Sequence, residues 1–167
     1  WLTTGPVVTE FENEFAKLLN CKHAIAVCNG TAALHLCCQA LGLNEKSLGF
    51  TSSITFLASA NCLEYVGAKV DFLDVNEKTL TISIDDLENK IKNSYIPDVV
   101  IPVHFAGIPC DMERLYNICK LHNIKIIEDS CHAFGSKYKF KGKRYFCGSS
   151  HHSDLSIFSF HAVKTVT

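Results

Sequence analysis

Short apolar runs rich in Ile and Val recur along this chain, most of them separated by helix-length amphipathic stretches. No other feature constrains the fold as much. Strands joined through helices must pair in parallel, and a parallel sheet needs helices over both of its faces. The runs Lys69 to Leu73, Val99 to Val103, Ile124 to Glu128 and Leu155 to Ser159 read as strands, and His23 to Cys28 is a further strand candidate. Between them, Val7, Phe11, Phe15 and Leu18 recur at helical spacing behind Gly5-Pro6. Helices are also predicted over Ala32 to Leu41 (ended by Gly42), Thr55 to Tyr65, Asp85 to Ile91 and Asp111 to His122. The stretch Asn44 to Ser53 is turn-rich and receives no element, and the basic, aromatic Tyr138 to Phe146 reads as a solvent-facing hairpin or loop.

Composition narrows the class. With 167 residues, 47% hydrophobic and 20% charged, the chain fits one α/β domain with a single sizeable core and is too apolar for a disordered one. A formal net charge of -1 gives no reason to expect nucleic acid or an acidic membrane as partner. Runs such as Ala24 to Cys28 are strand-sized and too short to span a bilayer. The chain begins at Trp1 without a basic-then-apolar leader, so the expected location is cytoplasmic. Nine cysteines, an odd number with no C-x-x-C pair, argue against a secreted disulfide framework. Cys147 with His151 and His152 is the one metal-like group. It lacks a second ligand pair, so a plain polar loop is the preferred reading and no metal is expected.

In parallel α/β sheets, ligands collect at the carboxyl ends of the strands. Asn29-Gly30-Thr31, Glu128-Asp129, Ser159-Phe160-His161 and Lys164 all fall at such ends. Small residues at Asn29-Gly30-Thr31-Ala32 could let helix N-terminal amides approach a phosphate; the alternative is a plain turn with Thr31 as cap. The segment matches neither the dinucleotide G-x-G-x-x-G pattern nor the Walker A pattern. Asp129 ends a buried-looking strand and needs a partner, either a protonated pyridine nitrogen or an internal Arg or Lys. His132 is either a satisfied core histidine or a group over the face of a bound ring. Lys164 follows a buried strand in apolar company, where desolvation frees an amine to attack a carbonyl; the alternative is a side chain that snorkels to water.

Four segments carry a family resemblance: Trp1 to Pro6 followed by Phe11-Glu12, Asn29 to Leu34, Ile127 to Gly135, and Ser153 to Lys164. In this order, across essentially the whole chain, they resemble the DegT/DnrJ/EryC1/StrS family of sugar aminotransferases. The resemblance implies an α/β fold of type I, the large domain of a PLP-dependent transferase, with a mostly parallel sheet between two helical layers. Residues 1–167 would be a partial large domain, cut at both ends and without the small C-terminal domain, and inactive alone. Lys164 would hold pyridoxal 5'-phosphate as a Schiff base and shuttle the proton. Asp129 would pair with the pyridinium nitrogen, Phe56 would stack on the ring, and His132 would lie near its phenolic oxygen. Gly30, Thr31, Ala32 and Ser159 would hold the phosphate, and Thr3 would contact the sugar nucleotide.

Within the family, Thr55 to Cys62 and Phe158 to Lys164 are most like the transaminase of pseudaminic-acid biosynthesis. That likeness implies a UDP-linked 4-keto-6-deoxy sugar, glutamate as amino donor and a homodimer that shares its active sites. The alternatives are other PLP chemistry on the same fold, including dehydration or a different sugar position, and a non-catalytic scaffold. The pair Lys164 and Asp129 speaks against the scaffold, which needs neither.

Overall fold

The computed structural model describes residues 5–165. Five strands form one parallel sheet in the order β2-β1-β3-β4-β7, comprising β1 (Leu48–Ser52), β2 (Lys69–Leu73), β3 (Val99–Ile101), β4 (Lys125–Asp129) and β7 (Leu155–Ile157). Five helices accompany them: α1 (Pro6–Leu19), α2 (Gly30–Ala40), α3 (Ala58–Glu64), α4 (Ile84–Lys92) and α5 (Met112–His122). Strands β5 (Lys137–Phe140) and β6 (Lys143–Phe146) make a separate antiparallel hairpin, as expected for Tyr138 to Phe146. It is not wholly solvent-facing, because Tyr138 and Phe140 point inward and are buried.

Adjacent residues of the central strands feed two cores. Val100 and Ile126 join Phe50, Leu73, Leu87, Met112, Leu115 and Phe140 on the face covered by α4, α5 and the hairpin. Val99, Ile101, Ile127 and Ile157 join Leu34, Cys38, Cys62 and Leu63 on the face covered by α2 and α3. A strand apolar on both faces can be buried only between two helical layers, and this gives three layers. Caps fix the helix starts. Asn29, Ser83 and Asp111 each accept a hydrogen bond from the third amide of the following helix, so Ser83 caps α4 and Asp85 lies inside it. Pro6 opens α1, where its missing N–H costs nothing.

Two readings are corrected. The turn-rich stretch before Ser53 contains β1, the strand between β2 and β3. Its sequence, Leu-Gly-Phe-Thr-Ser, has little apolar pattern. Gly49 is needed because a Cβ there would come within 2.5 Å of the buried Leu63 side chain, and Thr51 satisfies its hydroxyl on the Ile101 carbonyl. Conversely, His23 to Cys28 is extended but pairs with no strand among the described residues, leaving Ile25 79% exposed. Among the described residues, its Ala26 N–H donates to Glu12 at 2.7 Å. Apolar content alone does not make a strand when no ladder partner is present. All nine cysteines are free thiols, and five of them are buried. No helix among the described residues is long and apolar enough to cross a membrane.

Candidate active site

The carboxyl ends of β4 and β7 lie side by side, and the N-terminus of α2 sits against them. The β4–β7 register pairs Asp129 with Ile157, and the Ser130 N–H extends it by donating to the Ile157 carbonyl. A Cβ on Gly30 would stand 3.4 Å from Cys131 Sγ, 3.7 Å from Ser159 Cβ and 3.9 Å from the Phe158 carbonyl. The first turn of α2 thus lies in van der Waals reach of both strand exits. Asn29 caps that turn and accepts from the Ala32 N–H at 2.8 Å. Ala32 is therefore engaged by Asn29, and the Gly30 and Thr31 amides are the ones without partners among the described residues. Two free amides at the positive end of an eleven-residue helix offer donors that an anion could use.

Asp129 is buried at the end of β4, and both of its oxygens are held. Ser59 donates to Oδ2 at 2.9 Å and the Cys131 N–H to Oδ1 at 3.1 Å. Burial, followed by the charge of Asp129, pushes the Cys131 thiol up, so it rests as a neutral group against Gly30. Lys164, half-buried in the loop after β7, places Nζ 2.8 Å from His132 Nε2. Burial and then the Lys164 charge hold the His132 ring below the usual histidine value. The imidazole is thus neutral and accepts from the lysine. Its Nδ1 is buried with no partner among the described residues.

Behind this cluster, the rings of Phe134, Phe158 and Phe160 pack around Phe15 of α1 at centroid distances of 5.1–5.9 Å. This fills the side of the β7 exit with apolar surface. Phe56 precedes α3 and is 72% exposed. Thr3 lies outside the described residues.

The suspected metal group does not assemble. His152 stacks on Phe140 at 3.6 Å and meets the Tyr138 hydroxyl through Nδ1, whereas Cys147 turns inward toward His104 and Glu128. These last three bring their ligand atoms within 4.8 Å of one another, but His104 and Glu128 are already satisfied. His104 Nδ1 accepts from the Cys110 N–H and Nε2 meets Glu128 at 2.8 Å; Glu128 also accepts from Gly148 N and Ser153 Oγ. Burial works against charge on the His104 ring, but Cys110, Cys147 and Glu128 outweigh it and hold the ring well above the usual histidine value, in opposition to the local hydrogen-bond geometry. The amide proton aimed at Nδ1 decides for the neutral ring, with its proton on Nε2 donated to Glu128. This network braces the β3 and β4 exits beside Asp129. Sequence reading missed it, although the adjacent acids Glu128-Asp129 on an apolar strand signalled that two buried carboxylates had to find partners.

The residues present suit a flat, phosphorylated, cationic heterocycle: free amides at the start of α2, a fixed carboxylate at Asp129, and the Lys164 amine against His132. This is the arrangement of a PLP-dependent transferase of fold type I. The whole chain, residues 1–167, matches the model of the DegT/DnrJ/EryC1/StrS aminotransferase family, and the protein belongs to that family. It is 39% identical over 168 residues to GDP-perosamine synthase of Escherichia coli O157:H7, covering 100% of this chain and 44% of that protein. Spr1654 of Streptococcus pneumoniae, described as a sugar aminotransferase and solved in a PLP form, superposes with a TM-score of 0.85 at 31% identity, covering 100% of this chain and 44% of its own. 3-Amino-5-hydroxybenzoic acid synthase gives 0.84 at 30%, covering 98% of this chain and 40% of its own. The chain thus spans less than half the length of these relatives.

Proposed function

We propose that this chain is part of the cofactor-binding large domain of a PLP-dependent aminotransferase acting on a nucleotide-linked keto sugar. The observation that carries the reading is that the Lys164 amine, the Asp129 carboxylate and the free amides of α2 all lie at the carboxyl ends of β4 and β7. When bound, PLP supplies an electron sink for the carbanion formed as an amino group is moved.

The chain's own residues do the rest. Gly30, Thr31 and Ser159, with Ala32 in the same turn, seat the phosphate. Asp129, fixed through both oxygens, would face the ring nitrogen and keep it protonated by its negative charge. Phe56 offers an exposed aromatic face to the ring. Lys164 Nζ would be the group that holds the cofactor covalently, and once displaced as a free amine by the incoming amino group it would move the proton. His132, neutral and adjacent to Nζ, receives a hydrogen bond from it and holds it in place. Thr3 is assigned to the sugar nucleotide on the family resemblance alone.

The substrate proposed is a UDP-linked 4-keto-6-deoxy-N-acetylhexosamine with glutamate as donor, in the manner of pseudaminic-acid biosynthesis. The likeness of Thr55 to Cys62 and Phe158 to Lys164 supports it. A GDP-linked keto sugar is the second reading, favoured by the 39% identity to a GDP-perosamine synthase. The protein is taken to work as a cytoplasmic homodimer. The deciding experiment offers the full chain, loaded with PLP, the UDP-linked and GDP-linked 4-keto sugars separately with glutamate, and follows 2-oxoglutarate. Turnover with the UDP sugar supports the first reading, turnover with the GDP sugar alone the second. Absence of amino transfer to either sugar, with PLP bound, removes both.

A further inference from the structure

Ser59 is fully buried, and none of the roles above uses it. It lies in the first turn of α3, and its hydroxyl donates to Asp129 Oδ2 at 2.9 Å across 70 residues of sequence. Thr55 Oγ1 in turn lies 2.9 Å from Ser59 Oγ. The directions are forced. An ionised carboxylate only accepts, a serine has one proton to give, and so Thr55 must donate to Ser59. On the other side, the Ser59 N–H donates to the Phe56 carbonyl at 3.1 Å. One small residue therefore ties the exposed Phe56 segment to the buried carboxylate. With the Cys131 N–H on Oδ1, the hydroxyl on Oδ2 stops the carboxylate from rotating.

We infer that Ser59, aligned by Thr55, is a positioning residue. It sets the orientation of Asp129 toward the ring nitrogen of PLP and fixes where the Phe56 segment stands above that carboxylate. A hydrogen bond to a charged acceptor is stronger than a neutral one, and a buried acceptor that loses its donor is penalised further. The inference rests on the reading that Asp129 faces the cofactor.

The test is a double-mutant cycle on the full chain. Ser59→Ala, Ser59→Thr and Thr55→Val are made in the native and Asp129→Asn backgrounds. The equilibrium dissociation constant of PLP is measured together with kcat and KM for the nucleotide sugar. In the native background, Ser59→Ala should weaken PLP binding and lower kcat, each by roughly tenfold, with KM little changed. Ser59→Thr, which keeps a hydroxyl, should restore both. Thr55→Val should act in the same direction by a smaller factor, and it serves alone if Ser59→Ala does not fold. In the Asp129→Asn background the Ser59 change should add nothing. Equal losses in both backgrounds, or no loss of PLP affinity and kcat in the native one, overturn the inference and leave Ser59 as packing. If the native full chain takes up no PLP, the reading of the site falls and this inference with it. If it binds PLP but Ser59 is uncoupled from Asp129, the inference alone is lost.

Discussion

Lys164 Nζ stands 2.8 Å from His132 Nε2, although the two residues leave different strands and are 32 positions apart. The geometry puts the half-buried amine of the loop after β7 against a neutral acceptor.

The amine's role gives the first prediction. Borohydride treatment of the PLP-loaded full chain should fix the cofactor on Lys164, as read by peptide mass spectrometry. Label on another lysine, such as Lys137 or Lys143, contradicts the assignment. Lys164→Ala should abolish turnover, because attachment and proton transfer fall to the same nitrogen.

Asp129→Asn removes the negative charge while keeping nearly the same shape. The full chain should still fold and bind PLP, more weakly, but its rate should fall by several orders of magnitude, on the order of 10³ or more. Steady-state kinetics check this. Near-native kcat would return Asp129 to a purely structural role.

Stability should depend on pH through His132 and His152. Burial first, then Lys164 for one and His151 for the other, hold both rings below the usual histidine value. The folded chain keeps them neutral while the unfolded chain takes up protons near pH ~6.5, so the unfolded state binds more protons below that point. Their contribution is present above about pH 6.5 and is lost as pH falls through and below it. Thermal unfolding of the full chain between about pH 8 and pH 5 should show a falling midpoint on the acid side, and His152→Gln should flatten part of the fall. A native midpoint unchanged down to pH ~5 contradicts the prediction.

Gly148 offers a prediction on packing. Its φ of +75° lies in the left-handed region, and a Cβ would run into the Phe158 ring and approach Ser130 Oγ at 3.0 Å. Its N–H also donates to Glu128. Gly148→Ala should cost at least about 2 kcal/mol, combining left-handed strain with overpacking. Chemical denaturation of the full chain measures it, and a loss below roughly 0.5 kcal/mol would show that the loop moves aside.

Much of the fold could be read locally. The strands β2, β3, β4 and β7 and Pro6 at the start of α1 follow from periodicity and local backbone preference, whereas the cap of α2 is Asn29 and not Thr31. Lys164, Asp129 and the Asn29-Gly30-Thr31 turn stood out because a charged or very small residue at the end of an apolar run has few structural uses. Tertiary structure alone decided the rest. β1 is a strand because β2 and β3 supply ladders on both sides and Leu63 demands a glycine, whereas His23 to Cys28, more apolar in sequence, has no ladder among the described residues. Cys147 turned to His104 and Glu128 rather than to its neighbours in sequence, and Ser59 reached Asp129. Periodicity records which face of an element seeks burial. Which buried donor meets which buried acceptor depends on the sheet order, and no local pattern encodes it.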